Sequence, residues 1–354
     1  MSASLLHLPI RPEWLATRAE SALDATRPII DAHHHLYDRP GVRYLLDEYL
    51  TDLQSGHNVR ASVYLQARSM LRADVPAVLQ PIGETEFANG IAAMSASGLY
   101  GDARVCAGIV PFADLTLGDG VRKVLERHIS AAGGNVADGG RLCGIRQILS
   151  WDADCRLLNP AYPTSEAMSA SQEFRTGFAH LETLGLTFDS WAFFHQLSRV
   201  ATLARTFPGT NIVLNHCGGI VRIADYSKRR EEVFDTWRQG IVEISKSPNV
   251  FVKLSGLGMR LGGFGFEERE VAPSSEELAE VWRPWIETCI EAFGANRCMY
   301  ASNFPVDKGS FSFSTGLNAL KRLAQSASND DKDDIFWRTA KRFYRLPDLS
   351  FAAR

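Results

Sequence analysis

Eight short apolar runs, each followed by a stretch with helical spacing, constrain the fold of this chain more than any other feature. The runs are nearly continuous in apolar residues, which is typical of parallel strands that are buried on both faces. They cover residues 29–33, 59–66, 105–111, 142–147, 187–194, 211–216, 250–255 and 298–303. Eight strand–helix units in succession predict a single (β/α)8 barrel of the TIM type, which is an α/β fold.

The helical stretches and the chain ends support one barrel domain. Helical spacing is found near residues 84–96, 119–132, 174–184, 197–207, 228–245, 276–293 and 315–327, and residues 331–344 close the chain. Ser274 and Glu277 form a capping-box pattern before one of these helices. We expect residues 1–28 to form an N-terminal arm packed on the barrel, and residues 29–354 to form the barrel domain.

Composition excludes several classes of partner. The 354 residues carry 38 Lys and Arg against 41 Asp and Glu, a net charge of -3, so no basic excess favours nucleic acid or an anionic membrane. No apolar run approaches the length of a membrane span, and the first ten residues do not resemble a secretory signal. The six scattered cysteines are typical of reduced thiols, so we expect a cytoplasmic protein. A homo-oligomer is compatible with all of this.

Polar residues follow the apolar runs at their carboxyl ends, which is where barrel enzymes place their active sites. His33 and His35 are two residues apart in the first run, so their side chains share one face while His34 points away. Such a pair suits a metal or catalytic site, although a hydrogen-bonded cluster of neutral histidines is the alternative. The polar residues at strand ends are His33, His35, Gln66, Arg146, His195, His216, Lys253, Ser255 and Asn303. We treat His7, His34, His57, His128 and His180 as background.

Four of these segments resemble the amidohydrolase superfamily. They are Asp31-x-His33-x-His35, His195, the Asn215–Gly219 phrase and the Ala301–Asp307 phrase. They are most similar to the amidohydrolase-2 branch that contains 2-pyrone-4,6-dicarboxylate lactonase, sulfomuconolactone hydrolase and sugar-lactone hydrolases. The resemblance extends from about Ile29 to the C-terminus and implies a barrel hydrolase that opens a lactone or a related ester or amide.

The resemblance also implies a ligand set and one departure from it. His33, His35 and His195 would hold Zn²⁺ or another divalent metal, with His216 as a fourth ligand or substrate contact. Where the family carries an aspartate that binds the metal or acts as general base, this chain has Asn303. An amide cannot accept a proton at neutral pH, although its oxygen can accept hydrogen bonds. Some lactonases of this branch work without a metal, so a metal-free mechanism is the alternative.

The candidate catalytic residues are therefore His216, Asn303 and Asp307. Asp307 is the nearest carboxylate to Asn303 in the sequence, and a solvated loop charge is the favoured interpretation of it.

Arginines near the strand ends point to an anionic substrate. Arg146 could bind a carboxylate with two hydrogen bonds, and a structural ion pair is the alternative. Gln66, Arg68 and Arg260 are weaker candidates for substrate binding. Arg260 belongs to the glycine-rich stretch 257–275, which we interpret as a lid or substrate loop, with a disordered insertion as the alternative. A carboxylated lactone of aromatic catabolism would fit these arginines better than a neutral sugar lactone.

Two other functions compete with a lactonase. A metal-dependent decarboxylase of an aromatic or unsaturated acid is one, because the wider family contains such lyases. A barrel that binds a small molecule without turning it over is the other, because the family's aspartate is absent.

Overall fold

Eight parallel strands form the closed barrel of this protein. The structure is a computed structural model and describes residues 7–348. Its strands are β1 (Ile29–His34), β2 (Tyr37–Arg39), β3 (Val42–Tyr44), β4 (Val59–Leu65), β5 (Arg104–Val110), β6 (Gly144–Ile148), β7 (Thr187–Trp191), β8 (Ile212–Leu214), β9 (Val250–Leu254) and β10 (Cys298–Tyr300). Strands β2 and β3 pair as an antiparallel hairpin, and the other eight run parallel.

Two hydrogen-bonded sheets meet at both edges to close the barrel. Their strand orders are β1–β4–β5 and β10–β9–β8–β7–β6. A parallel bridge between Ile109 and Leu142 joins β5 to the start of β6. At the other edge His34 bridges Phe304, and the His35 backbone N–H donates to the Phe304 carbonyl at 2.8 Å. The expectation of a (β/α)8 barrel is confirmed.

Helices cover the barrel in the order expected for alternating strands and helices. They are Pro12–Ala16, Leu46–Leu53, Ile82–Ala96, Val121–Ala131, Gln172–Thr183, Leu197–Thr206, Arg230–Ile244, Ser275–Phe293, Phe313–Leu323, Asn329–Asp333 and Thr339–Tyr344, with a π-helical turn at Asp334–Arg338. The capping box is confirmed, because the Ser274 side chain accepts from the Glu277 N–H and the Glu277 carboxylate accepts from the Ser274 N–H. Within residues 7–348, the helices are all too short or too polar to cross a bilayer.

The structure differs from the sequence expectations mainly at the strand ends. Strand β7 ends at Trp191 and β10 ends at Tyr300, three residues earlier than expected in each case. The β2–β3 hairpin and the Leu46–Leu53 helix were not expected. Each hairpin strand has three residues, which is too short to show a clear hydrophobic period.

The C-terminal helix fills the interior of the barrel from its lower end, which is the end opposite the carboxyl ends of the strands. Phe343 and Tyr344 belong to the same buried cluster as Ile30, Val213 and Met299 from the strands. A second and larger buried cluster lies between the strands and the outer helices. With the lower end filled by apolar side chains, the polar strand ends are left to form the site at the opposite end.

The N-terminal segment packs against the glycine-rich stretch 257–275. The Trp14 indole N–H donates to the Arg269 carbonyl at 3.0 Å, and the Ser275 N–H donates to the Glu20 carboxylate at 2.7 Å. The stretch contains two short 3-10 turns, Arg260–Gly262 and Phe266–Glu268. It therefore has defined structure, in contrast to the alternative of a disordered insertion.

A turn of left-handed backbone follows β8 and places a histidine at the barrel mouth. His216, Cys217, Gly218 and Gly219 all have positive φ, with His216 at 55°. Gly256, after β9, has a φ of 76° and lies against this turn. A Cβ at Gly256 would lie 2.3 Å from the His216 Cβ, so only glycine allows the two loops to approach this closely.

Gly256→Ala should lower the free energy of unfolding by at least ~1 kcal/mol, because it adds both backbone strain and a steric clash. Gly90→Ala is the matched control, since a Cβ at that exposed helical position meets nothing within 4 Å. The control should be neutral or gain ~0.5–1 kcal/mol. Urea denaturation measures both, and equal effects would contradict the close approach of the two loops.

Candidate active site

A cavity of about 780 Å³ opens at the carboxyl ends of the barrel strands. Its lining comprises His7, His35, Tyr37, Arg39, Ala67, Arg146, Ile148, Ser150, Leu157, Asn159, Tyr162, Trp191, Phe193, His216, Met259, Leu261, Asn303 and Val306. The described lining residues include two arginines and three histidines but no aspartate or glutamate. The cavity therefore has a positive or neutral wall.

His33 and His35 form a buried pair at the end of β1. Their Nε2 atoms are 3.1 Å apart, and His35 Nδ1 lies 2.9 Å from the Leu65 carbonyl oxygen. His34 points the other way and stacks on Tyr49, with ring centroids 4.2 Å apart. The side-chain alternation expected for a strand is therefore confirmed. Burial first, and then the nearby cations, hold the pKa values of His33 and His35 well below the usual histidine value, so both rings are neutral at pH 7.

A buried ion pair lies behind His33. Lys253 Nζ on β9 is 2.5 Å from Asp189 Oδ1 on β7, and both side chains are fully buried. The ammonium is also 3.4 Å from His33 Nδ1. Burial lowers the pKa of Lys253 to about 8, and Asp189 opposes that shift. Lys253 is therefore still a cation at pH 7.

Arg146 on β6 projects a guanidinium into the same cluster. Its Nη1 lies 3.2 Å from His33 Nε2, and its Nη2 donates to the Gln66 carbonyl. The side chain is buried, and its Nε has no hydrogen-bond partner. Across the described residues, Arg146 forms no salt bridge with a carboxylate. A buried arginine without a counter-ion can bind an anion from outside the protein.

His216 completes the imidazole cluster from the left-handed turn. Its ring centroid is 4.5 Å from that of His33 and 4.8 Å from that of Trp191, with an angle of 76° between the His216 and Trp191 rings. His216 Nδ1 lies 3.0 Å from the Ser255 hydroxyl, which leaves Nε2 for the cavity. Burial, followed by Arg146 and Lys253, holds the pKa of His216 well below the usual histidine value. At neutral pH the ring is therefore a free base.

Asn303 and Asp307 are a hydrogen-bonded pair after β10. The Asn303 amide nitrogen donates to Asp307 Oδ1 at 2.8 Å, and the Gly258 N–H donates to Asp307 Oδ2 at 3.2 Å. Because a carboxylate holds the amide nitrogen, Asn303 Oδ1 is the atom left for the cavity. Burial raises the pKa of Asp307 to about 7, although Asn303 and two glycine N–H groups oppose the shift.

The interpretation of Asp307 as a solvated loop charge is wrong. The residue is buried, and it lines a separate apolar cavity of about 400 Å³ with Trp282 and Phe311. The loop after β10 turns inward because Asp307 accepts the Gly258 N–H from the neighbouring loop.

His195 lies apart from the other histidines. It is in a 3-10 turn, Phe194–Gln196, rather than at the end of a strand, because β7 ends at Trp191. Its Nε2 is 3.1 Å from Asp152 Oδ2, which also accepts a hydrogen bond from the Tyr226 hydroxyl at 2.7 Å. The structure thus brings His33, His35, His216 and Asn303 together and places His195 with Asp152 instead.

The three weaker candidates for substrate binding lie in different environments. Gln66 is buried and accepts a hydrogen bond from Tyr162 at 3.3 Å through its side chain. Arg68 is exposed, and its guanidinium lies 5.5 Å from the Tyr162 ring centroid. Arg260 is exposed in a different surface groove that it shares with Arg222 and Phe264. The loop that carries Arg260 reaches the cavity through Met259 and Leu261 instead.

Several cavity residues gave no signal in the sequence. Arg39 from the β2–β3 hairpin lies 4.4 Å over the Tyr37 ring and donates to the Ala67 carbonyl. His7, treated as background, lines the cavity from the N-terminal segment. Tyr162 comes from the long connection after β6, which has little regular structure. Such positions follow no strand or helix period, so pattern analysis could not have found them.

Comparison with known proteins identifies the family. The amidohydrolase family model, Amidohydro_2, matches residues 30–346. The chain belongs to the amidohydrolase family. It is therefore an enzyme of a hydrolase family, as the resemblance implied.

Two curated relatives match nearly the whole chain. Protein y4mH of Sinorhizobium fredii is 30% identical over 340 residues, covering 90% of this chain and 98% of the relative. L-fucono-1,5-lactonase of Burkholderia multivorans is 25% identical over 337 residues, covering 90% of this chain and 96% of the relative.

Solved structures share the fold at lower identity. An amidohydrolase from Burkholderia multivorans with bound zinc has a TM-score of 0.67 at 24% identity, covering 90% of this chain and 99% of that one. A protein from Pseudomonas putida described as a putative 2-pyrone-4,6-dicarboxylic acid hydrolase has a TM-score of 0.60 at 15% identity, covering 92% of this chain and 98% of that one. A 2,6-dihydroxybenzoate decarboxylase from Rhizobium has a TM-score of 0.50 at 16% identity, covering 90% and 98%. The fold alone therefore does not choose between hydrolysis and decarboxylation.

The residues present do not fit the zinc ion that the resemblance implied. Within residues 7–348, no three His, Cys, Asp or Glu side chains are grouped so that they could hold a metal. His195 is engaged by Asp152, and the His33 ring lies between the cations Arg146 and Lys253. A histidine that binds a metal normally donates its second N–H to an acceptor, whereas the described group that faces His33 Nδ1 is the Lys253 ammonium, which cannot accept.

Asp307→Asn should change the pH dependence of stability. The ordinary pKa of 3.8 is raised to about 7 in the folded protein, so ionisation of Asp307 costs stability as the pH rises through that window. The free energy of unfolding of Asp307→Asn, relative to that of the wild type, should rise by on the order of 3 kcal/mol from pH 5 to pH 8. The conversion is about 1.4 kcal/mol per pKa unit. Urea denaturation at the two pH values measures the difference. Asp235→Asn, at an exposed position, is the control and should show no such change.

Proposed function

We propose that this enzyme opens the ring of a lactone that carries a carboxylate. The observation that carries the proposal is the buried Arg146, whose guanidinium has an unpartnered Nε and forms no salt bridge with a carboxylate of the described residues. Leaving a charged group buried without a partner typically costs several kcal/mol, which an anionic substrate would offset.

A second arginine supports an anionic substrate. Arg39 lines the same cavity, where its recorded contacts are a backbone carbonyl and the Tyr37 ring. The two guanidinium groups would attract a substrate carboxylate. The described lining has no acidic residue that would repel it. The similarity to a curated L-fucono-1,5-lactonase supports the lactone part of the proposal.

The aromatic walls suit a small ring. Tyr37, Tyr162, Trp191 and Phe193 lie around the cavity, and aromatic walls of this kind are typical of small-molecule sites. A flat unsaturated ring would pack against these side chains while its carboxylate faces the arginines.

The hydrolytic step uses His216 as general base. A water molecule held by Asn303 Oδ1 and His216 Nε2 would attack the lactone carbonyl carbon, and His216 would take its proton. The bond between that carbon and the ring oxygen then breaks, and His216 returns the proton to the leaving oxygen. The product is a hydroxy acid, which contains the atoms of the lactone and of one water molecule.

Asn303 and Asp307 together occupy the place of the family's single aspartate, and each has a different role. Asp307 is a positioning residue, because it holds the amide nitrogen and so directs Asn303 Oδ1 into the cavity. The amide oxygen orients the water but cannot take its proton, which is why the base must be another group.

A panel of substrates tests the function. Carboxylated lactones, their neutral methyl esters, neutral sugar lactones and hydroxybenzoates are each incubated with the enzyme. Proton release and loss of the ring are followed, together with evolved CO₂. We expect ring opening of carboxylated lactones only. Equal rates on the neutral lactones would contradict the role of the arginines, and CO₂ from the hydroxybenzoates would show the decarboxylase instead.

Arg146→Gln should raise KM for the carboxylated lactone roughly thirtyfold, because a bidentate arginine–carboxylate contact contributes on the order of 2 kcal/mol. Arg260→Gln is the matched control and should leave KM unchanged, since Arg260 lies in another groove. Steady-state kinetics measure both. An unchanged KM with a lower melting temperature in Arg146→Gln would make Arg146 a structural residue.

His216→Asn should lower kcat by ~10²–10⁴-fold with the fold intact, which is the usual contribution of a general base. Asparagine is chosen because it tolerates the left-handed φ of 55° at this position. His195→Asn should keep near-full turnover, because His195 is outside the described cavity lining. The opposite ranking of the two variants would refute the mechanism.

A further inference from the structure

The proton positions in the histidine pair follow from its neighbours. His35 Nδ1 lies 2.9 Å from the Leu65 carbonyl oxygen, which can only accept a hydrogen bond. The proton of neutral His35 is therefore on Nδ1, and its Nε2 carries a lone pair.

This fixes the tautomer of His33 in turn. His33 Nε2 is 3.1 Å from the His35 Nε2 lone pair, so His33 Nε2 must carry a proton and donate it. His33 Nδ1 then has the lone pair and faces Lys253 Nζ at 3.4 Å. An ammonium group paired with Asp189 at 2.5 Å can only donate, so this contact agrees with the assignment.

The competing arrangement satisfies fewer contacts. Arg146 Nη1 is 3.2 Å from His33 Nε2 and could donate to it if that atom were unprotonated. The His33 proton would then be on Nδ1, against the Lys253 ammonium, and two lone pairs would face each other between His33 and His35. One hydrogen bond would form while two contacts became repulsive. The first arrangement forms two hydrogen bonds and has one contact between donors, that of His33 Nε2 with Arg146 Nη1.

We propose that Lys253 is a positioning residue that keeps the His33 proton on Nε2, and so prevents the His33–His35 pair from binding a divalent cation. A metal held by both Nε2 atoms would need the His33 proton on Nδ1, where the ammonium offers no acceptor. The feature that excludes the metal is thus a lysine behind the histidines, in addition to the amide at residue 303. This inference does not depend on the identity of the substrate.

Nuclear magnetic resonance of the wild-type protein directly tests which nitrogen of His33 carries the proton. With ¹⁵N-labelled histidine, one-bond N–H coupling shows which ring nitrogen of His33 is protonated, and His33→Gln assigns the signal. We expect the proton on Nε2 of His33 and on Nδ1 of His35. A His33 proton on Nδ1 would overturn the proposal without the need for any further variant.

Zinc binding tests whether Lys253 prevents the His33–His35 pair from binding a metal. The double variant Lys253→Met with Asp189→Asn removes the ion pair as a unit, which avoids a lone buried charge. The control is Lys246→Met with Glu243→Gln, which removes an exposed pair at 2.6 Å. Zinc per chain is measured after equilibrium dialysis. We expect the first variant to bind zinc at least ~10-fold more tightly than wild type and to lose the gain with His33→Gln, since outer partners of metal-binding histidines typically change affinity 10–100-fold. The control should behave as wild type.

Two results would overturn the metal part. Wild type that binds zinc through His33 as tightly as the double variant would show that Lys253 excludes nothing. A folded double variant with no gain in zinc would show that Lys253 is not the group that excludes the metal.

Discussion

The buried ion pair between Lys253 and Asp189 is the interaction on which the arrangement of the site depends. Asp189 accepts hydrogen bonds from Lys253 at 2.5 Å, from Asn215 at 2.9 Å and from the Tyr344 hydroxyl at 3.0 Å. It therefore connects two barrel strands, the turn that carries His216 and the C-terminal helix that fills the lower end. Removing charges from water is costly, and a pair of this kind persists only where its remaining hydrogen-bonding capacity is satisfied. Its position beneath His33 means that the catalytic end of the barrel is supported by a charged layer instead of an apolar one.

The strand pattern made the barrel and the histidine pair predictable, because both follow from regular periods. Eight buried runs separated by helices allow few other topologies, and the two-residue period places His33 and His35 on one face. His195 shows the limit of this reasoning. Its sequence position is consistent with a strand end, but β7 stops at Trp191 and the chain turns through a 3-10 helix before it. A shift of three residues at a strand end is enough to move a side chain out of a site.

Arg39 and His7 were missed for a different reason, and so was the burial of Asp307, which was a candidate catalytic residue. Asp307 and Arg39 are held by contacts between segments that are far apart in the chain: Asp307 accepts the Gly258 N–H at 3.2 Å, and Arg39 donates to the Ala67 carbonyl. Such contacts have no local signature in the sequence. The side chains that bind and orient the substrate in a barrel come largely from these loops, so the sequence predicts where the site lies better than which residues complete it.

The pair of Asn303 and Asp307 explains why an amide at residue 303 is compatible with hydrolysis. A carboxylate at 303 would lie about as close to Asp307 as the present amide nitrogen does, at 2.8 Å, and two such carboxylates cannot both be ionised. The amide removes that repulsion and keeps the oxygen that faces the cavity. The negative charge is thereby moved behind the site, away from the space where Arg146 and Arg39 lie without acidic partners in the described lining. A site with its own carboxylate in the cavity would neutralise those arginines, whereas this one leaves their charge for an anionic substrate.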